Sequence, residues 1–246
     1  MSDILTPRDL IRYDRQLLMI GRKGQEKLKR ASVAIVGIGG LGSPAAFYLA
    51  GAGVGKLILI DSEIPELSNL NRQILHWEDD FSLTKAQSAA EKLRKFNSDI
   101  IIEPKSVKIS EENLSEVLGE VDVVVDCLDN YETRYLLNEY CFMEGIPLVH
   151  AAVRGLLGQA TTILPPKSPC LKCVIPEPPK PEAKFPIIGA TAGTLGCIEA
   201  LETIKLITGI GRPLSGRFLI VDLEDMAFNV IEINKRPNCP VCGSKT

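Results

Sequence analysis

The sequence predicts an α/β protein built on a Rossmann-like doubly wound sheet. Three observations point there. Ser32 to Val36 is a short apolar run that stops at a glycine-rich turn, Gly37-Ile38-Gly39-Gly40-Leu41-Gly42. Apolar segments of strand length then alternate with segments of helical periodicity as far as about residue 152, the pattern of βαβ units with right-handed crossovers. Beyond that point two strand-like runs, 217–222 and 228–233, suggest a hairpin. The sheet is therefore expected to be mainly parallel with a C-terminal antiparallel extension.

Taken in order, residues 5–31 read as polar helix, with Leu17, Leu18, Ile20 and Leu28 as the inner face. After the first strand, an apolar helix over about 43–51 ends at Gly51 and Gly53, and a strand from Lys56 to Ile60 stops at Asp61. Residues 62–82 form a long polar connection, and loops of that length in compact domains tend to be functional. A helix over about 84–97, the run Ile100-Ile101-Ile102 and a helix over about 111–118 follow. The strand Val121 to Val125 runs into Asp126-Cys127-Leu128-Asp129-Asn130, and a helix at about 131–144 with a strand from Pro147 to Ala152 completes the doubly wound pattern. Then come a strand at 158–164, a proline-rich loop at 165–186, a helix at about 190–208 and the hairpin. The segment Arg236 to Thr246 is too short to hold a core. No internal repeat is visible, and residues 1–246 are expected to form one domain.

Composition narrows the function. Hydrophobic residues make up 45% of the 246 and charged residues 24%, as in ordinary globular proteins. The formal net charge is −3, so no basic field invites nucleic acid. No apolar run approaches the roughly 20 residues a membrane span needs, and the N-terminus lacks a signal-peptide pattern. A cytoplasmic protein is the expectation. There are seven cysteines, four of them in the pairs Cys170-x-x-Cys173 and Cys239-x-x-Cys242. In an intracellular chain that spacing reads as metal before disulfide.

Gly37, Gly39 and Gly42 stand where a strand turns into a helix, so the phosphates of a nucleotide would meet backbone N–H groups and the helix dipole. Asp61 ends the next strand, where a carboxylate accepts hydrogen bonds from ribose hydroxyls. The part at about 30–152 is thus nucleotide-binding and the part at about 153–246 carries the cysteine pairs. The glycine motif alone would suggest a nicotinamide dehydrogenase. Other segments argue otherwise: Arg12-Tyr13-Asp14-Arg15-Gln16, Ser68-Asn69-Leu70-Asn71-Arg72-Gln73, Lys85 and the Asp126–Asn130 run. Strand carboxyl ends gather on one edge of a parallel sheet, which would bring Arg72, Lys85 and Asp129 to the same phosphates. Two cations and a carboxylate suit a triphosphate with Mg²⁺ better than a nicotinamide ring.

From Arg12 to Gly243 these motifs, with both cysteine pairs, stand in the order found in the E1-like adenylating enzymes, the ThiF/MoeB/HesA family related to ubiquitin-activating enzymes. The chain resembles that family. The resemblance implies an ATP- and Mg²⁺-dependent adenylyltransferase that activates a carboxylate, most often the C-terminal glycine of a ubiquitin-like sulfur-carrier protein. It implies that Gly37, Gly39, Gly40 and Gly42 line the phosphate loop and that Asp61 holds the ribose. Asn69, Arg72 and Lys85, with Gln73 alongside, would meet the phosphates, and Asp129 would hold Mg²⁺ with Asn130 beside it. Arg15 matches an arginine that reaches across a homodimer into the partner's site.

Four thiolates at Cys170, Cys173, Cys239 and Cys242 suit a structural, tetrahedral Zn²⁺ that would staple the tail. Of the remaining cysteines, Cys127 and Cys197 read as buried and inert, and Cys141 lies within a helix. Many family members carry a nucleophilic cysteine between the first pair and the next helix, but Val174 to Gly196 contains none, with Lys184, Phe185 and Pro186 nearest that position. This resembles an archaeal-type branch. The activated acyl group is therefore expected to pass to a separate thiol protein. The same gap is compatible with a small-molecule carboxylate acceptor, for example the pyridinol precursor of the [Fe]-hydrogenase cofactor. A nicotinamide oxidoreductase leaves Arg72, Lys85, Asp129 and the cysteine pairs without a role, and an inactive scaffold leaves an unbroken site unused. Arg12, Lys23 and Arg30 read as solvated charges, Asp14 as a local hydrogen-bond partner, Asp122 and Asp126 as strand-end caps or turn formers, and His76 and His150 as structural.

Overall fold

The computed structural model describes residues 4–180 and 184–243. Helices α1 (Pro7–Arg12) and α2 (Asp14–Arg30) lead into β1 (Ser32–Val36), α3 (Gly42–Ala52) and β2 (Lys56–Ile60). There follow α4 (Lys85–Phe96), β3 (Ile101–Lys105), α5 (Leu114–Leu118), β4 (Val123–Asp126), α6 (Tyr131–Glu144) and β5 (Leu148–Arg154). The C-terminal part holds β6 (Leu157–Ile163), the single turn α7 (Leu171–Val174), α8 (Gly189–Thr208), β7 (Arg217–Asp222) and β8 (Ala227–Glu232). All eight strands form one sheet in the order β3-β2-β1-β4-β5-β6-β7-β8. From β3 to β5 the pairs are parallel, with Ile35 opposite both Leu59 and Val125. From β5 to β8 they are antiparallel. The predicted architecture is the observed one, and the antiparallel extension continues the parallel sheet without a break.

Alternate residues of β1 enter different cores. Val33 and Ile35 pack with Leu57, Leu59 and residues of α3, α4 and α8, whereas Ala34 and Val36 pack with Ile58, Val124 and residues of α5 and α6. Burial on both faces is why the parallel strands read as unbroken apolar runs. Because β1 and β4 are central neighbours, their exits, at Gly37 and Cys127, lie side by side at the strand carboxyl ends. Among the described residues no helix is long and apolar enough to cross a membrane.

Three local expectations are corrected. Residues 5–31 are not one helix: the chain breaks at Tyr13, and Gly21, at φ 66° and ψ 174°, kinks α2. Leu18, expected inside, is 84% exposed. Helix α5 is also shorter than predicted, since Asn113 accepts from Ser110 N and holds the preceding residues in a turn.

Candidate nucleotide site

The glycine loop is shaped by backbone packed on backbone. Gly37 donates to Ile60 O at 2.8 Å and takes φ +89°. A Cβ there would stand 2.7 Å from Cys127 O, and one on Gly42 would overlap Gly37 O. These glycines let the β1 exit press against the β4 exit while the chain turns into α3. Among the described residues the N–H groups of Gly39, Gly40 and Leu41 meet no protein acceptor. They lie at the N-terminus of α3, where an anion is favoured.

Asp61 braces the loop from the β2 side. Its Oδ2 accepts from Ile38 N at 2.8 Å and its Oδ1 from Glu63 N at 2.9 Å. Burial raises this carboxyl above its ordinary range, and the two N–H groups only partly counter that. The long connection then folds back over the glycines. The Arg72 Cγ is 3.5 Å from where a Gly40 Cβ would be, and Gln73 Nε2 stands at the same distance from the Gly39 position. Arg72 Nη1 donates to Ser68 O at 3.0 Å and to Asn71 Oδ1 at 3.1 Å, so without an anion its charge rests on its own loop. Asn69 shapes the same turn by accepting from Glu66 N at 3.2 Å. The start of α8 closes this side, with Gly189 against Asn71 and Arg72 and Ala192 against Gly40.

Lys85, at the first position of α4, is only 4% exposed, and its Nζ lies 2.6 Å from Glu63 Oε2. It also lies close enough to Asp61 to lower that carboxyl electrostatically. Asp129 is exposed at the β4 exit, two residues beyond the Cys127 carbonyl that Gly37 abuts. Asn130 caps α6 by accepting from Thr133 N at 2.9 Å, so its amide is engaged in that cap. The structure thus brings together the glycine loop, Asp61, Arg72 and Gln73, with Lys85 behind Asp61 and Asp129 at the adjoining exit. Arg15 stands apart on α2, with 91% of its side chain exposed and Asp14 at 4.0 Å.

Several residues of this region escaped the sequence reading. Glu63, which holds Lys85, carries no motif. Below the exits, Asp126 binds His150 Nδ1 at 2.7 Å and faces Arg134 at 3.7 Å. Burial pushes the Asp126 carboxyl up, but Arg134 and His150 outweigh it and hold it below its usual range. Arg134 in turn donates to Leu128 O and to Ala151 O, tying the Asp129 loop to β5. Asp126 forms the expected turn by accepting from Leu128 N at 3.2 Å, and it is a buried ion partner as well. Asp122 is the cap expected, accepting from Ser32 N at 2.8 Å. Arg12 is no free charge, since it donates to Phe96 O at 3.2 Å and pairs with Asp99 at 3.8 Å.

The four paired cysteines converge. Their sulfur atoms all lie within 4.8 Å of one another, Cys170 to Cys239 at 3.5 Å and Cys173 to Cys242 at 3.2 Å. Tetrahedral Zn²⁺ with bonds of about 2.3 Å would place sulfurs roughly 3.8 Å apart, so the donor set fits zinc. Arg236 N donates to Cys173 Sγ at 3.2 Å, a further knuckle contact. The other cysteines offer little nucleophile. Burial raises the Cys127 thiol, with Glu199 adding to it, and burial raises Cys141 as well. Cys197, expected to be buried, is half-buried because its side of α8 is not covered, and partial burial still raises its thiol.

Comparison with known proteins bears on this geometry. The ThiF family model matches residues 13–241. The chain belongs to the ThiF family. As a ThiF-family chain it is an E1-like adenylyltransferase, which sets aside the oxidoreductase and scaffold readings. It is 45% identical to the "SAMP-activating enzyme E1" of Haloferax volcanii over 99% of its own length and 92% of that protein. It is 46% identical to the "Adenylyltransferase and sulfurtransferase MOCS3-1" of Drosophila pseudoobscura pseudoobscura, covering 98% of itself but only 55% of that relative. Among solved structures, E. coli MccB with MccA-N7isoASN superposes with a TM-score of 0.87 at 25% identity, covering 99% of this chain and 77% of MccB. E. coli MccB with ATP gives 0.86 at 26% identity, over 95% and 75% of the two chains.

Proposed function

We propose that this chain binds ATP with Mg²⁺ and adenylates the C-terminal glycine of a ubiquitin-like sulfur carrier. One observation carries the chemistry: Arg72 and Gln73 fold over a glycine loop whose outward N–H groups have no protein acceptor. The near end-to-end similarity to an archaeal SAMP-activating enzyme supports a protein tail as acceptor. In this reading Gly37, Gly39, Gly40 and Gly42 cradle phosphate and Asp61 takes the ribose. Arg72 swings from Ser68 O onto the phosphates, and Lys85 leaves Glu63 for them. Both offset the charge that builds as the carboxylate attacks the α-phosphorus and pyrophosphate departs. Asn69 keeps the loop in shape for this. Asp129, an exposed carboxylate beside the loop, would hold Mg²⁺, a hard cation that takes oxygen ligands and would offset phosphate charge. Zn²⁺ on Cys170, Cys173, Cys239 and Cys242 would be structural, since four thiolates leave no open position.

The acyl-adenylate is the end of this chain's chemistry in the proposal. Val174 to Gly196 contains no cysteine, Cys127 and Cys141 are buried, and Cys197 has a raised thiol. A separate thiol protein receives the acyl group. Intact-mass spectrometry of the enzyme with carrier and ATP·Mg²⁺ tests both halves. The carrier should gain one AMP while the enzyme gains no thiol-sensitive adduct. An adduct on Cys197 would place the nucleophile in this chain, and AMP transfer to small acids only would transfer the reading to a small-molecule acceptor.

A further inference from the structure

His76 is buried, and both of its ring nitrogens are engaged. Nε2 lies 2.7 Å from the Ile38 carbonyl, inside the glycine loop, and Nδ1 lies 2.8 Å from Ser88 Oγ on α4. A carbonyl only accepts, so Nε2 carries the proton. The Ser88 hydroxyl that lies against Nδ1 donates to Asp80 Oδ2 at 3.0 Å and accepts from Lys92 Nζ at 3.1 Å. Asp80 Oδ2 also accepts from Lys92 Nζ and Trp77 N. The imidazole therefore joins three segments: the glycine loop, the connection that carries Arg72 and Gln73, and the helix that begins at Lys85.

Its contact with Ile38 bears directly on the phosphate cradle. Ile38 is clamped from both sides, its N–H by Asp61 and its carbonyl by His76. In a planar trans peptide the N–H of Gly39 points opposite to the carbonyl of Ile38. With that carbonyl drawn inward, the Gly39 N–H faces away from His76, on the side where no protein acceptor waits. Gly39 is permissive enough for the 38–39 peptide to turn over if the clamp is lost. The carbonyl oxygen would then face the anion.

We propose that His76 is a positioning residue of the phosphate cradle, fixing the Ile38–Gly39 peptide so that the Gly39 N–H meets a nucleotide phosphate. This rests on the nucleotide reading above. Calorimetric titration of ATP·Mg²⁺ and of adenosine into wild type, His76→Leu and His76→Gln separates the two. Wild type that binds no ATP overturns the nucleotide reading and this role with it. If wild type binds, His76→Leu should bind ATP about tenfold more weakly, the scale of one hydrogen bond to a charged group. Its adenosine affinity should stay unchanged, and His76→Gln, whose amide N–H can still reach Ile38 O, should recover most of the loss. A folded His76→Leu that matches wild type for ATP, or that loses ATP and adenosine equally, contradicts the role. Should His76→Leu not fold, ¹⁵N-histidine spectra of wild type decide, because the chain has only 2 histidines. The signals lost in His76→Gln should be those of a ring protonated at Nε2. A ring without a proton on Nε2 would overturn the proposal.

Discussion

Arg72 and Lys85 carry the same charge but are held differently, and that predicts how each responds to change. Lys85 is 4% exposed in a slot closed by Glu63, so its compact ammonium leaves little room for a guanidinium. Lys85→Ala and Arg72→Ala should each lower ATP–pyrophosphate exchange by roughly 10²-fold, as loss of a charge-stabilising group does, and Lys85→Arg should not restore it. Glu63 is 70% exposed, and such ion pairs contribute about 0–1 kcal/mol. Glu63→Gln should therefore leave exchange within about threefold of wild type. Titration at His76 belongs to this scale too. Burial lowers the His76 pKa from 6.5 to about 4, with Ile38 O acting the other way. Its contribution to stability is then complete above pH 6.5 and lost as pH falls toward 4, an upper bound of about 3 kcal/mol. His76→Gln should flatten that part of a denaturant-midpoint profile against pH, leaving the slope from His150, which burial also lowers. An unchanged profile would mean that His76 takes up its proton alike in the folded and the unfolded chain. His76 was legible in the sequence only as a histidine without a partner, because its partners are a backbone carbonyl and a hydroxyl. Asp61, Arg72 and Lys85 were legible because strand ends and motif order mark them. Glu63 and Arg134 were not, since their roles depend on which distant atoms the fold brings within reach.

At the scale of elements, the glycine loop and the cysteine pairs show two kinds of legibility. Strand, glycines and helix are contiguous, so local sequence describes the turn, and the structure adds only which backbone each glycine touches. Gly21 shows the limit, because one glycine inside a helical pattern does not reveal whether it will be helical or kinked. The seating of α8 on Arg72 and Gly40 was likewise hidden, being a contact between segments far apart in the chain. The cysteine pairs were visible as ligands, but their meeting required the tail to return to the proline-rich loop. With zinc bound, purified protein should hold about one equivalent per chain. Cys239→Ser should lose that metal and destabilise the protein by more than the roughly 1–3 kcal/mol of an ordinary substitution. A metal-free wild type of full thermal stability would contradict the staple.

In the molecule as a whole, Leu18 and Met19 are exposed one turn along α2 from the uncovered Arg15. Exposed apolar side chains of this kind mark interaction surfaces. The expected outcome is a homodimer in which each Arg15 completes the partner's site. Mixing inactive Arg15→Ala with inactive Lys85→Ala should then restore activity, because one site of each mixed dimer carries neither change. A fully active monomer in analytical ultracentrifugation, or no recovery on mixing, would exclude the shared site.

The proposed reaction is formation of an acyl-adenylate on a carrier tail. ATP–[³²P]pyrophosphate exchange, run with Mg²⁺ and a ubiquitin-like carrier ending in glycine, reads that step directly and in both directions. Exchange should need both Mg²⁺ and the carrier, vanish when the terminal glycine is removed, and fall in Arg72→Ala and Lys85→Ala. Exchange that is indifferent to every carboxylate supplied, or absent while ATP is bound, would contradict it.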